Sequence, residues 1–155
     1  MNIGFYLLDI GQNSYSSNIL QNINKLCSIR PYDNIVLFNN NFATVDVDQK
    51  YYILSMNHAK YFQGLLFLFD TESAMLTRTF TGPTKQILYM NEPEWAENPN
   101  IPFTTWYNIY MNKRFEFIAS SSDMHFLIEN SWKSPIGTVT NFNSKEINDV
   151  IQQLQ

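Results

Sequence analysis

Glu92, Glu94 and Glu97 fall within six residues of one another, in a stretch broken by Pro93 and followed by Pro99 and Pro102. Carboxylates grouped in this way can take a proton from a hydroxyl as a general base or hold a hard cation. The ordinary alternative is a solvated acidic loop. Glu92 and Glu94 form the candidate catalytic pair, and neither a metal site nor a resident cofactor is expected. Beside them, Trp95 and Trp106 offer flat rings on which a sugar or a base can stack, with core packing as the competing use. Further along, the cluster Ser120-Ser121-Ser122 precedes a helical pattern, where free backbone N–H groups suit an anion or phosphate unless the serines simply cap the helix. His125 comes next, and with His58 it makes up the chain's two histidines. Asp123 stands two residues before His125, which on a helix turns it to a different face. Serine, histidine and aspartate are thus present, but the G-x-S-x-G elbow of a hydrolase is not. Gly11, in Asp9-Ile10-Gly11-Gln12-Asn13-Ser14, permits a tight turn and close backbone approach to a ligand. Neither a G-x-G-x-x-G nor a Walker spacing surrounds it. Gly11, Asn13, Ser14, Trp95, Ser120, Ser122 and His125 make up the candidate ligand-binding set.

These residues must be positioned by the elements around them, and the sequence alternates short apolar runs with helix-like segments. Ile3 to Leu8 is too uniformly apolar for a half-exposed strand and reads as a buried parallel one. After it, Ile19, Leu20, Ile23, Leu26 and Cys27 recur on one helical face, with Ser14, Ser16 or Ser17 available as cap. Further strands are expected at Asn34 to Phe38, Tyr51 to Met56, Leu65 to Phe69, Gln86 to Met90, Phe115 to Ala119 and Ile136 to Thr140. Helices are expected around His58 to Phe62, over Thr71 to Phe80 and Phe103 to Met111, from the serine cluster to Trp132, and from Asn143 onward. In the last, Asn143 is an N-cap followed three residues later by Glu146, and Ile147, Val150, Ile151 and Leu154 share a stripe. Asn91 to Pro102 reads as a long loop, a place where function concentrates. About seven strands interleaved with about six helices predict an α/β three-layer sandwich with a mainly parallel sheet and helices on both faces. In such a sheet ligands bind outside the carboxyl ends of the strands, where strand order reverses; here those ends are Asp9 to Ser14, Asn57-His58, Asp70-Thr71-Glu72-Ser73, Asn91 to Trp95, Ser120 to Asp123 with His125, and Asn141-Phe142-Asn143.

Composition narrows the classes. A chain of 155 residues accommodates one domain, spanning 1–155, and 45% hydrophobic with 15% aromatic residues is enough to build a core. Ten basic against fourteen acidic residues give a net charge of -4, which provides no electrostatic footprint for nucleic acid. One cysteine, Cys27, excludes an intrachain disulfide and fits a reducing compartment. No apolar run reaches the roughly 18 residues of a membrane span, and the start lacks a signal-peptide pattern. The expectation is a soluble cytoplasmic protein.

Three segments carry a family resemblance. Leu88-Tyr89-Met90-Asn91-Glu92-Pro93-Glu94-Trp95 is a strand ending in an aromatic-acidic-Trp segment. Phe117-Ile118-Ala119-Ser120-Ser121-Ser122-Asp123-Met124-His125 is a strand, serine and helix start. Val139-Thr140-Asn141-Phe142-Asn143 closes the series, and Ile3-Gly4-Phe5-Tyr6-Leu7 with Gly11 opens it. In order and spacing the chain resembles the N-terminal, acceptor-side domain of GT-B-type glycosyltransferases, particularly their short phage-like relatives. The resemblance implies a seven-strand Rossmann-like sheet, a sugar acceptor at its strand ends, and a nucleotide-sugar donor held mostly by a second domain. It also implies donor phosphates near Gly11 and Asn13, Glu92 or Glu94 as base, and Trp95 as platform. With one domain's length, a partner chain or a homodimer would have to complete the cleft, in the host cytoplasm if the chain is viral. Two alternatives stand beside this one. The first is a non-catalytic interaction or assembly module using Tyr107, Tyr110 and Trp132 as exposed anchors. The second is a flavodoxin-like nucleotide-binding domain, which would need a phosphate cradle in the Asp9 to Ser17 loop.

Overall fold

A computed structural model describes residues 1–10, 14–41 and 48–155. The strands are β1 (Asn2–Tyr6), β2 (Asn34–Phe38), β3 (Tyr52–Leu54), β4 (Leu65–Leu68), β5 (Lys85–Met90), β6 (Phe115–Ala119) and β7 (Gly137–Thr138). All pair in parallel, in the order β3-β2-β1-β4-β5-β6-β7. The helices are α1 (Ser14–Ile29), α2 (Thr71–Thr77), α3 (Glu94–Glu97), α4 (Phe103–Tyr110), α5 (Ser122–Ser131) and α6 (Ser144–Gln153), with 3₁₀ turns at Met56–Tyr61 and Thr140–Phe142. This is the α/β, Rossmann-like arrangement expected.

Alternation along the central strands sorts their side chains into two cores. Ile3 and Phe5 of β1, Leu65 and Phe67 of β4, and Ile87 and Tyr89 of β5 face one side, where α1 contributes Ile19, Ile23 and Leu26 and α6 contributes Ile147, Val150 and Ile151. Tyr6, Leu66, Leu68, Leu88 and Met90 face the other side, under Ala74 of α2, Trp106, Ile109 and Tyr110 of α4, and Met124 and Ile128 of α5. Both faces are therefore covered, as a continuous apolar strand requires.

The edges depart from expectation. β3 is three residues long and β7 two, each shorter than its apolar run. A ladder with a neighbour on one side only stops where that neighbour stops, so Met56 passes into a 3₁₀ turn. The Asn91 to Pro102 loop contains the single-turn helix α3, whose entry is set by Pro93. For α6, the Asn143 carboxamide accepts from Lys145 N (2.9 Å) and Glu146 N (3.4 Å) as expected. The reciprocal half of the capping box is absent, because the Glu146 carboxylate accepts from Thr140 N at 2.6 Å.

Strand order reverses between β1 and β4: β1 leads through α1 to β2 on one side, and β4 leads through α2 to β5 on the other. Since all strands are parallel, every carboxyl end lies along one edge.

Candidate functional site

The segments leaving the carboxyl ends of β4 and β5 build the site. Asp70 ends the β4 segment and caps α2, its carboxylate accepting from Ser73 N at 2.6 Å. The first N–H groups of a helix have no partner within it and favour negative charge, and a second carboxylate answers another of them. Glu94, carried in by Pro93 and α3, has both oxygens 3.2 Å from Thr71 N. The Thr71 hydroxyl lies 2.9 Å from the phenol oxygen of Tyr110, which binds this corner to α4.

A cavity of about 490 Å³ opens here, lined by Tyr15, Phe69, Asp70, Asn91, Glu92 and Glu94. It joins the start of α1 to the ends of β4 and β5, at the reversal of strand order where an α/β sheet takes its ligand. Phe69 lies on an aromatic bed, with the Phe142 ring 4.9 Å away edge-to-face. Phe142 itself has φ 53°, a left-handed conformation that costs a bulky residue free energy. Tyr89 holds it there: its hydroxyl accepts from Phe142 N (3.1 Å) and donates to the Val139 carbonyl (3.0 Å).

Charge sets the character of the cavity. Asp70, Glu92 and Glu94 line it, and no Lys, Arg or His stands among its described lining residues. Burial raises the Glu94 carboxyl above its ordinary value, and Asp70 and Glu92 add to that, against the Thr71 hydrogen bond. Burial, then neighbouring Tyr89 and the same three carboxylates, pushes the Tyr15 phenol well up. The Tyr15 hydroxyl is buried and has no hydrogen-bond partner among the described residues. A second cavity, of about 450 Å³, adjoins the first and shares Asp70 and Glu94 with it.

The sequence candidates divide by position. Glu92 and Glu94 line the cavity. Ser14 is the exposed first residue of α1, one position before Tyr15. Gly11 and Asn13 lie outside the described residues. Trp95 is half-buried and set edge-on to Tyr110 (5.5 Å) and Trp132 (6.1 Å), so it packs against the second core and lines neither cavity. Trp106 is buried under α4 and lines the second cavity. Ser120, Ser122 and His125 gather at the junction of β6 and α5, away from both cavities. Ser120 N donates to the Met90 carbonyl (3.0 Å), Ser121 caps α5 by accepting from Met124 N (3.2 Å), and Ser122 is exposed. His125 Nδ1 is 3.0 Å from the Thr138 hydroxyl, joining α5 to β7. Of the three aromatics expected as exposed anchors, Tyr110 is fully buried beneath Trp95 and Trp132, which is a correction imposed by its packing into the second core. Among the described residues no group of three or more His, Cys, Asp or Glu can hold a metal ion. Nor is any described helix long and apolar enough to cross a membrane.

Tyr15, Asp70 and Thr71 line the cavities although the catalytic and ligand-binding candidate sets leave them out; Asp70 and Thr71 belong to a strand end where a ligand is expected. Comparison of the chain with protein-family models, with curated proteins and with solved structures finds no match.

Proposed function

We propose that this is a glycosyltransferase-like protein whose cavity at the strand-order reversal binds a neutral sugar acceptor, with Glu94 as base and Glu92 beside it. The observation that carries this reading is the half-buried Glu94 in a carboxylate-lined cavity at the reversal, its carboxyl raised above its ordinary value by burial. A carboxylate made more basic in this way is a better acceptor for a hydroxyl proton than a free one. Carboxylates are also the acceptors that sugar hydroxyls need, while their charge repels the phosphates of a nucleotide-sugar. The cavity is therefore assigned to the acceptor, and a donor would be held elsewhere.

The test is ligand-observed NMR and thermal shift with methyl glycosides on one side and UDP, GDP and their sugars on the other. A methyl glycoside at 100 times its Kd stabilises by about 2.7 kcal/mol, and Glu92→Gln and Glu94→Gln weaken it. Binding of nucleotides in preference to every glycoside, or no glycoside binding at all, refutes the reading.

The interaction-module reading is supported by a different face. Phe103 (68% exposed) and Tyr107 on α4, with Phe126 (66% exposed) and Leu127 on α5, leave apolar surface uncovered above the second core. The occupant under this reading is a second copy of the chain, and sedimentation velocity across a concentration series decides it: a monomer throughout removes it.

A further inference from the structure

The two cavities differ in what they offer and share a wall. The first is polar, with Tyr15, Asn91 and Glu92 beyond the common Asp70 and Glu94. To that same pair the second adds Thr71, Glu72 and Asn98 on its polar side and Met75, Ile101 and Trp106 on its apolar side. Each volume falls within the roughly 300–1,000 Å³ of small-molecule sites. Glu94 lines both cavities, and its carboxylate reaches from α3 to the backbone N–H of Thr71, which lines the second alone. The apolar wall is rigid: Trp106 is 4% exposed and stacks on Tyr110 at 5.9 Å and 5°.

We propose that the two cavities are halves of one groove that takes a glycoside, its sugar ring in the first and an apolar or aromatic aglycone in the second. This rests on the assignment of the first cavity to a sugar. Hydroxyls of the ring meet the carboxylates of Glu92 and Glu94 in the first cavity, and the aglycone meets Trp106, Met75 and Ile101 in the second. Burying a phenyl-sized group against such a wall tightens binding by about ten- to a hundredfold.

Titration calorimetry with paired methyl and p-nitrophenyl glycosides of glucose, galactose and N-acetylglucosamine tests it. Asn98→Trp, at an exposed position lining the second cavity, should reduce p-nitrophenyl glycoside affinity to that of the methyl glycoside and leave the latter unchanged. Asn91→Trp, exposed at the first cavity, should abolish both. Glu72→Trp, also exposed and lining the second cavity, replaces Asn98→Trp if circular dichroism shows that variant unfolded. Methyl glycosides that bind with no p-nitrophenyl advantage, or an advantage that survives the folded second-cavity variant, overturn the two-part groove and leave the first-cavity assignment standing. Failure of both glycoside classes overturns the assignment and the groove together.

Discussion

Carboxylates sit at both edges of the sheet, and the two edges treat them in opposite ways. At the amino edge, Asp33 precedes β2 and accepts from Arg30 Nε and from the Met1 α-amino group (2.6 Å). Arg30 in turn donates to the Asn148 carboxamide at 3.0 Å. Burial acts to raise the Asp33 carboxyl, but these hydrogen bonds and positive charges outweigh it and hold the group below its ordinary value. At the carboxyl edge, Asp70, Glu92 and Glu94 share a cavity with no cation among its described lining residues, and Glu94 is raised. A matched carboxylate adds to stability, whereas grouped carboxylates without cations subtract from it. The contrast separates an edge whose carboxylate is matched by cations from one whose carboxylates face one another.

The amino edge should therefore be the more fragile. Gly64 sits at the entry to β4, where a Cβ would fall 2.2 Å from the Asn2 carbonyl oxygen, a backbone atom that cannot move without dislodging β1. Gly64→Ala should cost about 3 kcal/mol or more, at the upper end of overpacking effects, measured as a shift of the urea midpoint. Loss of less than a third of that would mean the edge is looser than its packing indicates. Next in size is Asp33→Asn, which leaves Arg30 short of its anion and should cost about 1.5–3 kcal/mol. Its signature is in the pH profile. A lowered carboxyl contributes stability that is present above its ordinary value of 3.8 and lost as pH falls through the lowered one. The wild-type protein should lose that increment in acid, and Asp33→Asn should not.

At the carboxyl edge the serine cluster gives a smaller effect. Ser121→Ala removes the cap of α5 and should cost about 1 kcal/mol, while Ser122→Ala, at an exposed first-turn position, should change little. Equal losses at the two positions would show that Ser122 also bonds the helix start.

The division between edges also explains how much of the molecule is legible in the sequence. Strands β1, β4, β5 and β6 announce themselves because burial on both faces demands unbroken apolar runs. β3 and β7 are overestimated because their length is set by one neighbour. Glu92 and Glu94 stand out as polar residues directly after a strand. Their meeting with Tyr15 and Asp70 does not: Tyr15, Asp70 and Glu94 come from three different crossovers and converge only because β1, β4 and β5 are adjacent, an order that no local pattern encodes. Ser120, Ser122 and His125 stand at the end of β6, two places beyond β4 in the sheet, a separation from the reversal that no local pattern encodes. That Trp95 packs against Tyr110 and Trp132 is likewise not legible, because those rings come from other elements.

The smallest expected change is the one that bears most directly on the site. A carboxyl raised by folding stabilises the native state fully below its ordinary value of 4.5, and that contribution is lost as pH rises through the raised value. Glu94 therefore works against the fold at neutral pH, the reverse of Asp33. Glu94→Gln keeps an oxygen to accept from Thr71 N and removes the charge facing Asp70 and Glu92, so its stability at pH 7 should equal or slightly exceed that of the wild type. The difference should shrink as pH falls toward 4.5, and denaturant titrations at several pH values measure it. A variant markedly less stable than wild type at pH 7 would mean that the ionised carboxylate is needed as the anchor of α2, and the contrast between the two edges would then rest on Asp70 and Glu92 alone.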